Sequence, residues 1–238
     1  MGLQGFEPAK RTGFKRLIIS AEGLEKSGKT TFGLSAPGPI ALFDLDIGTE
    51  GVVDKVLDAK KIIITSVNYR DATNQTEWLA MWERAKKAWY DALKASIKEV
   101  RTLLGDTWTE MWELARLARF GKLTQVMPHQ YGPVNAEFRD MIKRAYDTEK
   151  NVILIHKQKE EYINDKNTGR MKRSGFGDIG YLVQVNLEVW RRKGEFGLTV
   201  KDCRQEASLA GEEFVDPMNT FSFLASQVYP GTSEEDWE

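Results

Sequence analysis

The chain has 238 residues, and its 34 Lys and Arg against 35 Asp and Glu leave a formal net charge of −1. That balance excludes a histone-like polycation and a bulk acidic mimic, although a near-neutral total can hide a local basic patch. Hydrophobic residues at 41% and charged residues at 29% describe a globular chain, not a disordered one. The single cysteine, Cys203, excludes a disulfide framework and a cysteine-based zinc site. No apolar run approaches the roughly 20 residues of a membrane span. The first residues lack the apolar stretch of a secretory signal. The expected compartment is therefore reducing cytoplasm, with no membrane partner.

Residues 1–14 read as a flexible lead, 15–228 as one core and 229–238 as an acidic tail. The first strand is expected over Arg16–Ala21, followed by a helix from Lys29 to about Ser35. Pro37-Gly38-Pro39 stops that helix, because proline donates no hydrogen bond and restricts its predecessor. Ile40–Phe43 reads as a second strand ending in Asp44-Leu45-Asp46. Ile62–Ile64 reads as a third strand, short and buried. Trp78, Trp82, Ala85, Trp89, Leu93 and Ile97 recur at steps of three and four, which places a helix over 76–99 with one buried face. That spacing favours core packing over a platform for stacking bases. Val100–Asp106 is a strand candidate, and helices follow over Trp108–Phe120 and Val134–Thr148. The last strand candidates are Asn151–His156, Leu182–Trp190 and Phe196–Lys201. Alternating strands and helices predict a mainly parallel sheet flanked by helices. The final strands lack intervening helices, so that edge is expected to be antiparallel.

Gly23-Leu24-Glu25-Lys26-Ser27-Gly28-Lys29-Thr30 matches G-x-x-x-x-G-K-[ST] and lies between a strand and a helix, as a phosphate-binding loop requires. Its glycines let backbone N–H groups turn around an anion, and the helix N-terminus adds positive potential there. Gly23, Glu25, Lys26, Ser27, Gly28, Lys29, Thr30 and Thr31 are the expected nucleotide contacts. Lys29 reaches the β- and γ-phosphates, and the Thr30 hydroxyl serves Mg²⁺. A second carboxylate is needed near the metal. Asp106 is the candidate, its alternative reading being the N-cap of the helix at Trp108. Thr107 follows it where many ATPases carry a water-activating Glu, so Asp46 takes that role, with Asp44 and Glu50 in reserve. No N-K-x-D motif is present to read guanine. The expected ligands are ATP and Mg²⁺.

In the order and spacing of these motifs, over roughly 15–205, the chain resembles the ATPase core of the RecA family of recombinases. It looks like the small phage-type members that carry the core alone and act in single-strand annealing or recombination. Residues 23–30 are similar to the family's G-P-E-S-S-G-K-T. A-L-F-D-L-D at 41–46 sits where the family has a strand ending in D-x-E, and L-L-G-D-T at 103–107 where it has a metal-associated strand. V-I-L-I-H-K-Q at 152–158 resembles the strand that carries a γ-phosphate sensor into the second DNA loop, with His156 near the sensor position. T-V-K-D-C-R at 199–204 resembles the basic element that reaches a neighbour's nucleotide, which implies trans-acting Lys201 and Arg204. The resemblance further implies a RecA-like α/β fold, DNA-stimulated ATPase activity, self-assembly into an oligomer or filament, and single-stranded DNA as partner. A single-strand DNA-binding protein is a further expected partner, and the host cytoplasm the site of action.

Two DNA loops follow from that resemblance. One spans about Gly121–Pro133, with Lys122, His129 and Tyr131. The other spans about Lys157–Asp178, with Lys157, Lys159, Arg170, Lys172, Arg173 and Phe176 as contacts. Basic side chains there neutralise phosphates and aromatic ones stack on bases. By composition alone, Asn164–Gly169 reads as the turn of a solvated hairpin. Two rival readings stay open. One is a nucleotide kinase using Arg191 and Arg192 as phosphate clamps. The other is a non-hydrolysing adaptor switched by ATP.

Overall fold

The computed structural model describes residues 16–123 and 126–238. The lead at 1–14 lies outside the described residues. The strands are β1 (Ile18–Gly23), β2 (Ile40–Asp44), β3 (Ile62–Ser66), β4 (Thr102–Asp106), β5 (Asn151–Ile163), β6 (Lys166–Arg173), β7 (Val185–Arg192), β8 (Glu195–Cys203) and β9 (Glu213–Val215). The helices are α1 (Lys29–Leu34), α2 (Gln75–Lys94), α3 (Trp108–Phe120), α4 (Gly132–Ala145), α5 (Ile179–Leu182) and α6 (Phe221–Val228).

The strands form one sheet in the order β3-β2-β4-β5-β1-β7-β8-β9, with β6 paired to β5 beyond the sheet. Pairing is parallel from β3 through to β7. β8 and β9 add an antiparallel edge, and β5–β6 is an antiparallel hairpin. This is the α/β architecture of a P-loop nucleotide-binding domain, and it places the C-terminal ends of β1, β2, β4 and β5 side by side. In open parallel sheets, ligands bind in the crevice at those ends.

Each face of the sheet buries its own core. On one face Trp78, Trp82, Ala85, Trp89 and Leu93 of α2 pack with Trp108, Leu114 and Phe138. The Trp82 and Phe138 rings stack at 5.6 Å, and Trp89 lies 4.7 Å from Trp108. The tryptophan stripe is core. Its expected last member, Ile97, is exposed, because α2 ends at Lys94. On the other face α1 and α6 cover Ile19, Leu42, Leu104, Ile153 and Ile155.

Two expectations need correction. β3 is not buried: it is the edge strand, with Ile63 and Ile64 each about half exposed. β5 does not stop at His156 but runs on through Ile163, because its polar second half is satisfied by pairing with β6. The acidic residues 229–238 pack back onto the core. Trp237 is buried, stacks on Tyr229 at 5.4 Å and donates through Nε1 to Thr232 Oγ1 at 3.0 Å. No helix among the described residues is long and apolar enough to cross a membrane.

Candidate nucleotide site

Gly23 to Thr30 form the loop between β1 and α1. Two glycines are fixed there for different reasons. Gly28 has φ +96°, a left-handed conformation that side chains resist. A Cβ on Gly23 would sit 2.2 Å from Val189 O on β7, so backbone packing demands glycine there. Ser27 is buried, whereas Glu25, Lys26 and Thr31 are exposed. Lys29 Nζ donates to Gly23 O at 3.0 Å and Leu24 O at 2.5 Å, folded back over its own loop. Burial depresses the Lys29 ammonium, against the opposing fields of Asp106, Glu25 and Asp46.

Opposite the loop stand the ends of β2, β4 and β5. Thr30 Oγ1 donates to Asp106 Oδ2 at 2.6 Å. Burial pushes the Asp106 carboxyl up to about 6, helped by the nearby Asp44 and Asp46 charges, while the Thr30 hydrogen bond and Lys29 act against it. The N-cap of α3 is Thr107, whose side chain accepts from Glu110 N, so Asp106 is free of that duty. Asp44 accepts from Thr49 Oγ1 at 2.8 Å through Oδ2, and its buried Oδ1 has no partner among the described residues. Asp46 lines the cavity. Glu50 is exposed and does not.

These groups enclose a cavity of about 750 Å³ lined by Gly23 to Lys26, Lys29, Thr30, Asp46, Gly48, Asp106, Thr107, Lys157 and Gln158. A second cavity of about 250 Å³ opens on the other side of α1 and is lined by Gly28, Thr31, Val189, Phe196, Asp216 and Asn219. The donors around Thr30 and Asp106 are hard oxygens, which suit Mg²⁺. Among the described residues no cluster of three His, Cys, Asp or Glu can hold a metal alone. A Mg²⁺ here would therefore share its coordination with phosphate oxygens and water.

A family model described as an AAA domain matches residues 15–178. The chain belongs to that family. The match spans the phosphate loop, the Asp106 strand and the whole β5–β6 hairpin. The AAA domain is a P-loop nucleotide-binding domain of the NTPase type. No curated protein matches the chain.

Several expected residues of this AAA domain sit elsewhere. His156 is fully buried and does not line the cavity. Burial, with the Arg173 guanidinium beside it, holds its imidazole well below the usual histidine range. It is a neutral core residue and not a phosphate sensor. The cavity-facing residues of that strand are Lys157 and Gln158. Lys157, expected on DNA, pairs instead with Asp46 at 2.9 Å and with Glu110. Arg173 is tied to Ser20 Oγ at 2.6 Å and Asn186 Oδ1 at 3.0 Å, so it anchors β6 to the core. Phe176 is buried against Trp112 and Phe138 and offers no face to a base.

Lys159, Arg170 and Lys172 are exposed on the hairpin. In the first candidate loop, residues 124–125 lie outside the described residues. Lys122 covers the Trp78 ring at 5.7 Å, and Tyr131 stacks on Trp112 at 6.0 Å. Lys201 pairs with the buried Glu22 carboxylate, and Arg204 donates to Tyr181 O at 2.6 Å. Arg192 pairs with Glu213 and lies 4.1 Å from the Trp190 ring centroid, and Arg191 lies 5.1 Å from the Phe196 ring. Gln158, which lines the cavity, and Glu110, which pairs with Lys157, were not among the expected site residues. Extending the strand by one alternating pair past His156 would have found Gln158.

Proposed function

We propose that the protein is a RecA-like ATPase that binds single-stranded DNA and couples that binding to nucleotide turnover, in annealing or recombination. The observation that carries the reading is the path of β5. The strand supplies the cavity wall at Lys157 and Gln158, then continues without a break into the exposed hairpin. One element thus touches both the nucleotide space and the surface beyond it.

The hairpin carries a polyanion signature. Lys159 and Lys172 stand directly opposite each other across the two strands. Like charges so placed destabilise an isolated sheet, and a phosphate backbone relieves that repulsion. Lys166 and Arg170 extend the basic stretch toward the tip, and exposed Tyr162 offers a ring for stacking.

At the nucleotide end, the loop amides and Lys29 would hold the β- and γ-phosphates, and Thr30 and Asp106 would hold a Mg²⁺, which would supply neutralisation of developing phosphate charge. The nucleoside lies toward the smaller cavity, with the Phe196 ring beside it. Asp46 accepts a proton from the attacking water. Self-assembly, with Lys201 and Arg204 exchanging their internal partners for a neighbour's phosphates, belongs to the same reading. In the kinase reading the clamps would be Arg191, which lies over the Phe196 ring, and Arg192, which is engaged with Glu213 and Trp190.

The test is ATP turnover with Mg²⁺, measured with and without single-stranded DNA. The reading expects turnover that DNA accelerates. Turnover indifferent to DNA, together with no DNA binding, contradicts the DNA half. Nucleotide binding without turnover under every condition contradicts the hydrolytic half.

A further inference from the structure

Lys157 stands where the cavity wall becomes the hairpin. Its Nζ lies 2.9 Å from Asp46 Oδ1 and also bonds Glu110 Oε1. Burial opposes its charge, but the two carboxylates outweigh burial and keep the ammonium protonated. It is near enough to Lys29 for each cation to feel the other. Two ammonium groups thus border one cavity. One is folded onto loop carbonyls and the other is clamped between carboxylates.

A nucleoside triphosphate brings close to two negative charges on its terminal phosphate into that space. Lysine is a point charge on a flexible four-carbon stem, suited to changing partners without backbone movement. Glu110 can retain its hydrogen bond from Tyr69 when the lysine leaves. Asp46 retains only Arg70, at 3.7 Å.

Resting on the ATPase reading above, we propose that Lys157 is a catalytic residue that works by exchange. Without nucleotide it masks Asp46. When a triphosphate binds, its ammonium moves to the terminal phosphate and unmasks Asp46. The water oxygen then bonds to the γ-phosphorus, its proton passes to Asp46, and the bond to the bridging oxygen breaks. The diphosphate leaves with that electron pair. A diphosphate lacks the γ-phosphoryl group that would draw the lysine away, so Asp46 stays masked.

The same residue reports on the hairpin. Lys157 N donates to Thr109 Oγ1 at 3.0 Å, Thr109 Oγ1 donates to Ser174 O at 3.1 Å, and Ser174 N donates to Lys157 O at 2.8 Å. Both roots of the hairpin are thereby fastened to the first turn of α3, immediately after Asp106 and Thr107. A ligand that tilts the hairpin moves the Lys157 backbone and with it the mask on Asp46.

The experiment measures equilibrium binding of ATP and ADP for wild type, Lys157→Met and Lys157→Arg. Lys157→Met is expected to weaken ATP by about tenfold or more, the value of a charge-assisted hydrogen bond, and to leave ADP unchanged. Lys157→Arg restores most of the ATP preference. A Lys157→Met protein that keeps the wild-type ratio of ATP to ADP affinity overturns the proposal. Should that variant not fold, the Asp46→Asn, Lys157→Met double variant removes both charges. The preference is then expected to survive in Asp46→Asn alone and vanish in the double variant, and its survival in both overturns the proposal. A wild-type protein that binds neither nucleotide overturns the ATPase reading itself, and this inference with it.

Discussion

The Thr30 hydroxyl donates to the Asp106 carboxylate at 2.6 Å, joining the first turn of α1 to the end of β4 across 76 positions of sequence. The contact exists because β4 lies two strands from β1 in a parallel sheet, with β5 between them. Both residues therefore end at the same rim. In the proposed reading, a hydroxyl and a buried carboxylate bonded to each other in this way would form one corner of a Mg²⁺ site completed by phosphate oxygens and water.

The corner is costly without its cation, and that cost has a pH signature. Burial pushes Asp106 up to about 6, against about 3.9 in an unfolded chain. The folded state therefore holds the proton more tightly than the unfolded state. Its stabilising effect is fully present below the unfolded value and is lost as pH rises through about 6. Asp106→Asn should make the nucleotide-free protein more stable than wild type at pH 7 to 8, by on the order of 2–3 kcal/mol. The difference should shrink toward pH 4. Thermal melting across that range checks this, and parallel curves for the two proteins would contradict it. The same variant should lose Mg²⁺-dependent turnover.

Asp46 sits on the cavity wall with Lys157 as its counterion. If it takes the proton of the attacking water, Asp46→Asn should lower turnover by roughly 10²- to 10⁴-fold, the usual value of a general base. Triphosphate affinity should hold or rise, since a negative charge leaves the pocket. Steady-state turnover beside equilibrium binding separates the two effects. An equal loss in both would show that the carboxylate only shapes the site.

Much of this was legible in the sequence, and the exceptions share a cause. The phosphate loop is local: one octapeptide fixes its shape, so Gly23 to Thr30 could be read residue by residue. α2 was legible because its periodic tryptophans are local as well, whereas the cap of α3 fell on Thr107 and not on Asp106. The mainly parallel sheet and its antiparallel edge followed from the alternation of strands and helices, whereas the order of the strands rests on pairings distant in sequence. The failures depended on long-range partners. Ile63 and Ile64 look like core residues until β3 proves to have no neighbour beyond it. Arg173 and Phe176 look like nucleic-acid contacts until Ser20, Asn186 and Trp112 fold against them. His156 and Lys157 are adjacent on one strand, and only its extension into the hairpin decides which of them reaches the cavity.

The exposed hairpin and the buried residues at its root separate two effects. Replacing Lys159, Arg170 and Lys172 with alanine should weaken single-stranded DNA binding and flatten its salt dependence. Three lost phosphate contacts reduce the slope of log K against log salt by roughly 2. ATP affinity should be untouched. Arg173→Ala should instead lower the melting temperature, because it unties β6 from Ser20 and Asn186. DNA titrations at several salt concentrations, run beside thermal melts, distinguish the two. An unchanged salt slope in the triple variant would remove the hairpin from the DNA surface.

The most direct test of the whole account is equilibrium binding of Mg²⁺-ATP to Lys29→Ala. This lysine is folded over the loop carbonyls and poised to swing onto phosphate. Its loss should weaken binding by about tenfold or more, as expected for a charge-assisted contact, in a protein that melts as wild type does. A folded Lys29→Ala protein with undiminished affinity would mean that the triphosphate does not lie in this loop.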